Sequence, residues 1–119
     1  MFDCIGATLR IDEGLMQAAT VLGASGIAFF MRYLRAMTQG GIQMGFHPGE
    51  AQAIAVQTAV GAAKLIQNGG THPEQEIDRV TTPRGCTITG LNEMEHQGLS
   101  SAVIKGLMAS YDKISEMKQ

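Results

Sequence analysis

Apolar positions recur along this chain at three- and four-residue spacing, most clearly at its end. Val103, Ile104, Leu107, Met108, Tyr111, Ile114 and Met117 share one side of a helix predicted from Ser101 to about Lys118. Further back, Phe29, Phe30, Met31, Tyr33, Leu34, Ala36, Met37 and Ile42 mark a helix over Ile27–Met44. Ser25 suits its N-cap, Gly40-Gly41 allows close packing, and Gly45 suits the C′ position, where φ turns positive. The small residues Gly23-Ala24-Ser25-Gly26 separate it from a shorter helix over Asp12–Leu22, capped at Asp12 or Glu13. Thr71-His72-Pro73-Glu74 has the S/T-x-x-E form of a capping box and opens a polar helix to about Arg79. A helix from about Thr87 to Gln97, stopped by Gly98, completes the set. Only residues 8–12, Thr-Leu-Arg-Ile-Asp, alternate as a strand does. A lone strand needs a partner, so it either pairs across an oligomer or edges a sheet outside this chain. The second is preferred, because Phe2–Gly6 looks like the end of a helix. The pattern as a whole is all-α.

One helix breaks the amphipathic rule. His47-Pro48-Gly49-Glu50 starts it, with Pro48 at the first helical position, and Gly69-Gly70 ends it after about Asn68. Ala51, Ile54, Ala55, Ala62, Leu65 and Ile66 form one apolar face, and Ala53, Val56, Val60 and Ala63 form another. A helix apolar nearly all round is buried on nearly all sides. A chain of 119 residues is one domain and can hardly surround a helix of about 30 Å. The expectation is an intertwined homo-oligomer; the alternative is an Ala-rich helix inside a compact bundle.

Between the polar helix and the next lies Val80-Thr81-Thr82-Pro83-Arg84-Gly85-Cys86-Thr87-Ile88-Thr89, with four threonines around a proline and a glycine. A Thr/Gly loop feeding a helix presents backbone N–H groups, hydroxyls and the positive end of a helix dipole. That suits a small anion such as a carboxylate or phosphate. A plain capped turn uses the same residues.

Charge and composition exclude several functions. Nine scattered Lys and Arg residues and a net charge of -2 give nucleic-acid binding no support. The longest apolar run, Ile27–Met37, is interrupted by Arg32 and Arg35 and is short for a bilayer, so no membrane partner is expected. Without a basic N-terminal region followed by an apolar run, no signal peptide is expected. Cys4 and Cys86 lack framework spacing and read as reduced thiols of a cytoplasmic protein. Cys86 has no assignable base and reads as a packing residue rather than a nucleophile. His47, His72 and His96 lie far apart near helix ends and suit capping or the surface, not a metal. No G-x-G-x-x-G and no P-loop is present.

Several ordered motifs resemble one family. Ala19-Thr20-Val21-Leu22 with Ser25-Gly26-Ile27-Ala28-Phe29-Phe30 is similar to the T-A-L-S-G-S-G-P-A-Y stretch of pyrroline-5-carboxylate reductases. Gly40–Gly45, Gln57-Thr58 with Gly61-Ala62-Ala63-Lys64-Leu65, and His72-Pro73 resemble its later motifs, and Val80–Leu91 resembles V-T-S-P-G-G-T-T-I-A-G-L. The resemblance covers that family's C-terminal half. It implies an all-α helical dimerisation domain, similar to the C-terminal domain of 6-phosphogluconate dehydrogenase, interlocked as a homodimer that can assemble into rings. It divides the chain into residues 1–14, the end of a Rossmann cofactor domain otherwise absent, and residues 15–119, the dimerisation and substrate-binding domain.

The implied activity is reduction of 1-pyrroline-5-carboxylate to L-proline, the last step of proline synthesis, by a hydride from NADPH or NADH. With no cofactor expected on this chain, the chain alone is expected to be inactive. The resemblance implies substrate contacts from Val80, Thr82, Gly85, Cys86 and Thr87. Thr82 stands where a serine usually holds the carboxylate, and Thr87 matches a catalytic threonine near the ring nitrogen. Arg84 replaces a glycine, which either strains the turn or adds a cation near the carboxylate. Gly23, Ala24 and Ile27 replace Ser, Gly and Pro, and Cys86 replaces Thr or Ala. Two other assignments are a non-catalytic helical homodimer, and the C-terminal domain of another β-hydroxyacid-type dehydrogenase.

Overall fold

The computed structural model describes residues 9–117, and every regular element among them is helical. Five helices follow one another: α1 (Glu13–Met44), α2 (Pro48–Gly69), α3 (Pro73–Val80), α4 (Cys86–His96) and α5 (Leu99–Met117). Leu9 to Asp12 form no strand, so the alternation there is not realised in what is described. A strand needs a neighbour for its backbone groups, and the described residues offer none. Thr8 and the helix end expected over Phe2–Gly6 lie outside the described residues.

The expected break before Ile27 is also absent. Gly23-Ala24-Ser25 belong to a π-helical turn, Val21–Ser25, which joins Met16–Thr20 to Gly26–Met44 without interruption. Ser25 sits at φ -63 and ψ -35, inside the helix, and its side chain caps nothing. Three of the five residues of this turn are small, so the wider turn meets little side-chain crowding, and the propensity penalty of glycine is too small to stop a helix packed on a neighbour. The neighbour is α5, and Ser115 Oγ donates to Gln17 Oε1 at 3.1 Å across that contact. Val21, only 3% exposed, lies at the start of the π turn.

α1 and α2 form an antiparallel hairpin. Gly45, at φ 123, donates its N–H to the Ile42 carbonyl, and the Phe46 N–H reaches the Gly41 carbonyl at 3.1 Å. These two bonds satisfy the last carbonyls of α1 as a Schellman motif does. Glu50 Oε1 accepts the His47 N–H at 3.0 Å and anchors the start of α2. The helices meet through small residues, with Gly41, Ala51 and Ala55 buried; Thr38, also buried, turns its hydroxyl onto the Leu34 carbonyl at 2.8 Å. A Cβ added at Gly41 would lie 2.9 Å from the Ala51 Cβ. Gly41→Ala is therefore expected to destabilise the protein by about 1–2 kcal/mol, measured by chemical denaturation. An unchanged denaturation midpoint would show that the hairpin has slack.

The single chain has almost no core. It exposes 9924 Å², whereas a folded monomer of its mass exposes about 6,200 Å². Its radius of gyration is 16.8 Å, against about 13.5 Å for a compact chain of this length. On α2 only Ala51 and Ala55 are buried, while Ile54, Val56, Val60 and Leu65 stay exposed. On α1, Phe30 is 73% and Leu22 68% exposed. By length and composition α1 could cross a membrane, well beyond the Ile27–Met37 run, because the π turn keeps it continuous. Its apolar surface has to be covered by something other than this chain.

Candidate functional site

α3 carries the chain to the Thr-rich loop. His72, not Thr71, is its N-cap, and His72 Nδ1 accepts the Glu74 N–H at 3.1 Å. The capping box expected from Thr71 is not formed, and the cap passes to His72 with Pro73 at the first helical position. Thr71 Oγ1 instead donates to Glu76 Oε1 at 2.7 Å, and Arg79 Nη1 reaches the same oxygen at 3.0 Å. One carboxylate so ties both ends of this short helix.

The loop itself is a tight turn. Val80 ends α3 with its side chain exposed, and Thr81 folds its hydroxyl back onto the Asp78 carbonyl at 3.2 Å. Thr82-Pro83-Arg84-Gly85 then closes through the Gly85 N–H on the Thr82 carbonyl at 2.9 Å. Proline at the second position and positive φ at the third is the arrangement of a type II turn. The third residue is Arg84, at φ 60, the one positive-φ residue other than glycine among those described. The strain expected where Arg84 replaces a glycine is present here, although Arg84 is not among the expected substrate contacts. The Thr-Pro-Arg-Gly turn by itself does not show this, since a side chain at the third position ordinarily favours a type I turn.

Gly85 is the N-cap of α4 and has no side chain to cap with. The N–H groups of the first turn, from Cys86, Thr87 and Ile88, therefore face outward without a capping partner. The Gly85 carbonyl accepts the Thr89 hydroxyl at 3.1 Å. The four threonines thus divide. Thr81 and Thr89 spend their hydroxyls on backbone carbonyls, whereas Thr82 and Thr87 are exposed and make no side-chain hydrogen bond among the described residues. Cys86 is a free, exposed thiol at the same helix start, not the packed residue expected from its size. The structure so brings Thr82, Gly85, Cys86 and Thr87 onto one turn, with Val80 just outside it.

The turn is an open surface. A cleft of 490 Å³ lies between α1 and α5, among Leu22, Phe29, Phe30, Tyr33, Val103 and Leu107. It is apolar and includes no residue of the loop. Free hydroxyls and N–H groups at a helix start can hold a carboxylate, but they form one wall of a site, not an enclosure.

Comparison with known proteins gives this arrangement its context. Residues 13–117 match the family described as pyrroline-5-carboxylate reductase dimerisation. The chain is 53% identical over 117 residues to pyrroline-5-carboxylate reductase 1 of Dictyostelium discoideum, covering 98% of this chain and 21% of that protein. It is 50% identical to pyrroline-5-carboxylate reductase 2 of the same organism, covering 98% of this chain and 39% of that one. The chain thus spans well under half the length of these relatives. Among solved structures, a 1-pyrroline-5-carboxylate reductase from Streptococcus pyogenes superposes with a TM-score of 0.88 at 30% identity, over 93% of this chain and 43% of that one. The Plasmodium falciparum pyrroline carboxylate reductase with NADP bound shares the fold, with a TM-score of 0.92 at 22% identity, over 99% of this chain and 45% of that one. The all-helical architecture, the uncovered apolar helices and the match over residues 13–117 converge: the chain belongs to the pyrroline-5-carboxylate reductase dimerisation family.

Proposed function

We propose that this chain is the dimerisation and substrate-binding part of a pyrroline-5-carboxylate reductase, which reduces 1-pyrroline-5-carboxylate to L-proline in the cytoplasm with NADPH or NADH. The observation that carries the substrate role is the pairing of free Thr82 and Thr87 hydroxyls with an uncapped α4 N-terminus. In this reading the carboxylate sits on the first-turn N–H groups and the Thr82 hydroxyl, where Val80, Gly85 and Cys86 shape the turn. Thr87 orients the ring nitrogen and, where the imine arrives neutral, helps deliver its proton.

The described residues hold no strand, Gly-rich turn and helix of the kind that takes a dinucleotide, so they do not fit a nicotinamide cofactor. The cofactor then belongs to a nucleotide-binding domain outside residues 15–119, of which residues 1–14 are the end. The partner that covers the apolar faces of α1, α2 and α5 is a second copy of the chain, in a homodimer that can assemble further into a ring. With the loop open to solvent, the remaining walls of the site come from that copy or from the nucleotide-binding domain.

Calorimetric titration of L-proline into the purified chain, with light scattering on the same sample, tests both parts. A dimer that binds L-proline, about tenfold more weakly after Thr87→Val, is the expected result. A dimer indifferent to Thr87→Val would remove the substrate role, and a monomer would remove the assembly.

A further inference from the structure

Arg84 is the residue in the loop with no structural reason to be there. At φ 60 its backbone occupies the left-handed region, where a side chain is disfavoured and glycine is at ease. It is exposed, and it makes no ion pair or side-chain hydrogen bond among the described residues, whose one salt bridge joins Arg79 to Glu76. No acidic residue lies in the first turn of α4 to neutralise it. The turn therefore holds a strained residue whose distinctive contribution is an unpaired guanidinium, two positions before the uncapped N–H groups. Strain of this kind persists where the residue serves something other than the fold.

We propose that Arg84 is a specificity-determining residue that raises the preference of this loop for a ligand bearing a carboxylate. The proposal rests on the substrate role assigned above to Thr82 and Thr87. A guanidinium adds a charge-assisted contact that neither a hydroxyl nor a backbone N–H supplies, and it favours a ring acid over an analogue without the carboxylate. Because Arg84 is exposed, its contribution is moderate and screened by salt.

The test measures L-proline binding, with pyrrolidine as the analogue lacking a carboxylate, at low and at physiological salt. The proteins compared are the unaltered chain, Arg84→Gly, Arg84→Asn and Thr87→Val. Asparagine tolerates left-handed backbone without charge, and so separates electrostatics from backbone freedom. Both Arg84 variants are expected to bind L-proline about three- to tenfold more weakly at low salt, with a smaller deficit at physiological salt. Pyrrolidine, a cation at neutral pH, should bind no more weakly to either Arg84 variant, while Arg84→Gly should melt a few degrees higher, by about the relief of one left-handed residue. L-proline binding that is unchanged in Arg84→Asn, yet weakened in Thr87→Val, would overturn the role of Arg84 and leave the loop as the substrate site. Binding absent from the unaltered chain, or insensitive to Thr87→Val, would remove both.

Discussion

Phe30→Asp is expected to turn the assembled protein into a monomer that does not hold its fold. Phe30 is 73% exposed on the single chain and lines the apolar cleft between α1 and α5. Burying a phenylalanine contributes about 1.5–3 kcal/mol, and placing a carboxylate in the same apolar contact adds a desolvation cost of similar size or larger. In a two-fold assembly each substitution counts twice. The total, roughly 6–12 kcal/mol per dimer, is comparable to the whole stability of a small domain. Folding and association are linked here because the buried side chains within one chain are so few. Light scattering should report the monomer mass, and circular dichroism should show helix content below that of the unaltered protein. A variant that stays a folded dimer would put Phe30 outside the interface and move the cover to the exposed faces of α2.

Much of this fold is legible in the sequence because helices announce both their faces and their ends. Gly45, Gly70 and Gly98 all adopt the positive φ that their places after helices imply. The apolar circumference of α2 foretells its exposure on the single chain, since no sequence of this length carries enough other surface to cover it. What failed did so for tertiary reasons. Gly23 to Gly26 looks like a break, yet contact with α5 carries the helix through as a π turn, outweighing local propensity. Thr71 looks like a cap, but Pro73 sets the helix start one residue later and gives the role to His72. In the loop, composition alone cannot tell which threonines are free. The structure shows Thr81 and Thr89 committed to carbonyls, leaving the two hydroxyls that the family motif singles out. Nor does composition reveal that Arg84 stands at positive φ, because turn types I and II differ by a peptide flip that a Pro-Arg pair does not specify.

Gly85→Ala is expected to abolish measurable ligand binding at the loop while leaving the assembly intact. The dihedrals of Gly85, φ -76 and ψ 166, suit any residue, so glycine is reserved here by space rather than by conformation. A Cβ at this position would meet the Thr82 hydroxyl and stand 3.0 Å from the Thr82 carbonyl oxygen. The hydroxyl can rotate, but the carbonyl is the acceptor that closes the turn at 2.9 Å, so relief of the contact opens the turn. Opening it separates the Thr82 hydroxyl from the α4 N–H groups, and a carboxylate that needs both loses its simultaneous contacts. A loss of at least thirtyfold in L-proline affinity follows if about 2 kcal/mol of charge-assisted bonding is forfeited. The dimer should persist, because the loop is exposed and carries none of the apolar cover on α1, α2 or α5. Calorimetry beside light scattering separates the two effects in one sample. Unaltered affinity in Gly85→Ala would mean that the ligand rests elsewhere than on this turn, and the division of the four threonines would then concern only the helix ends.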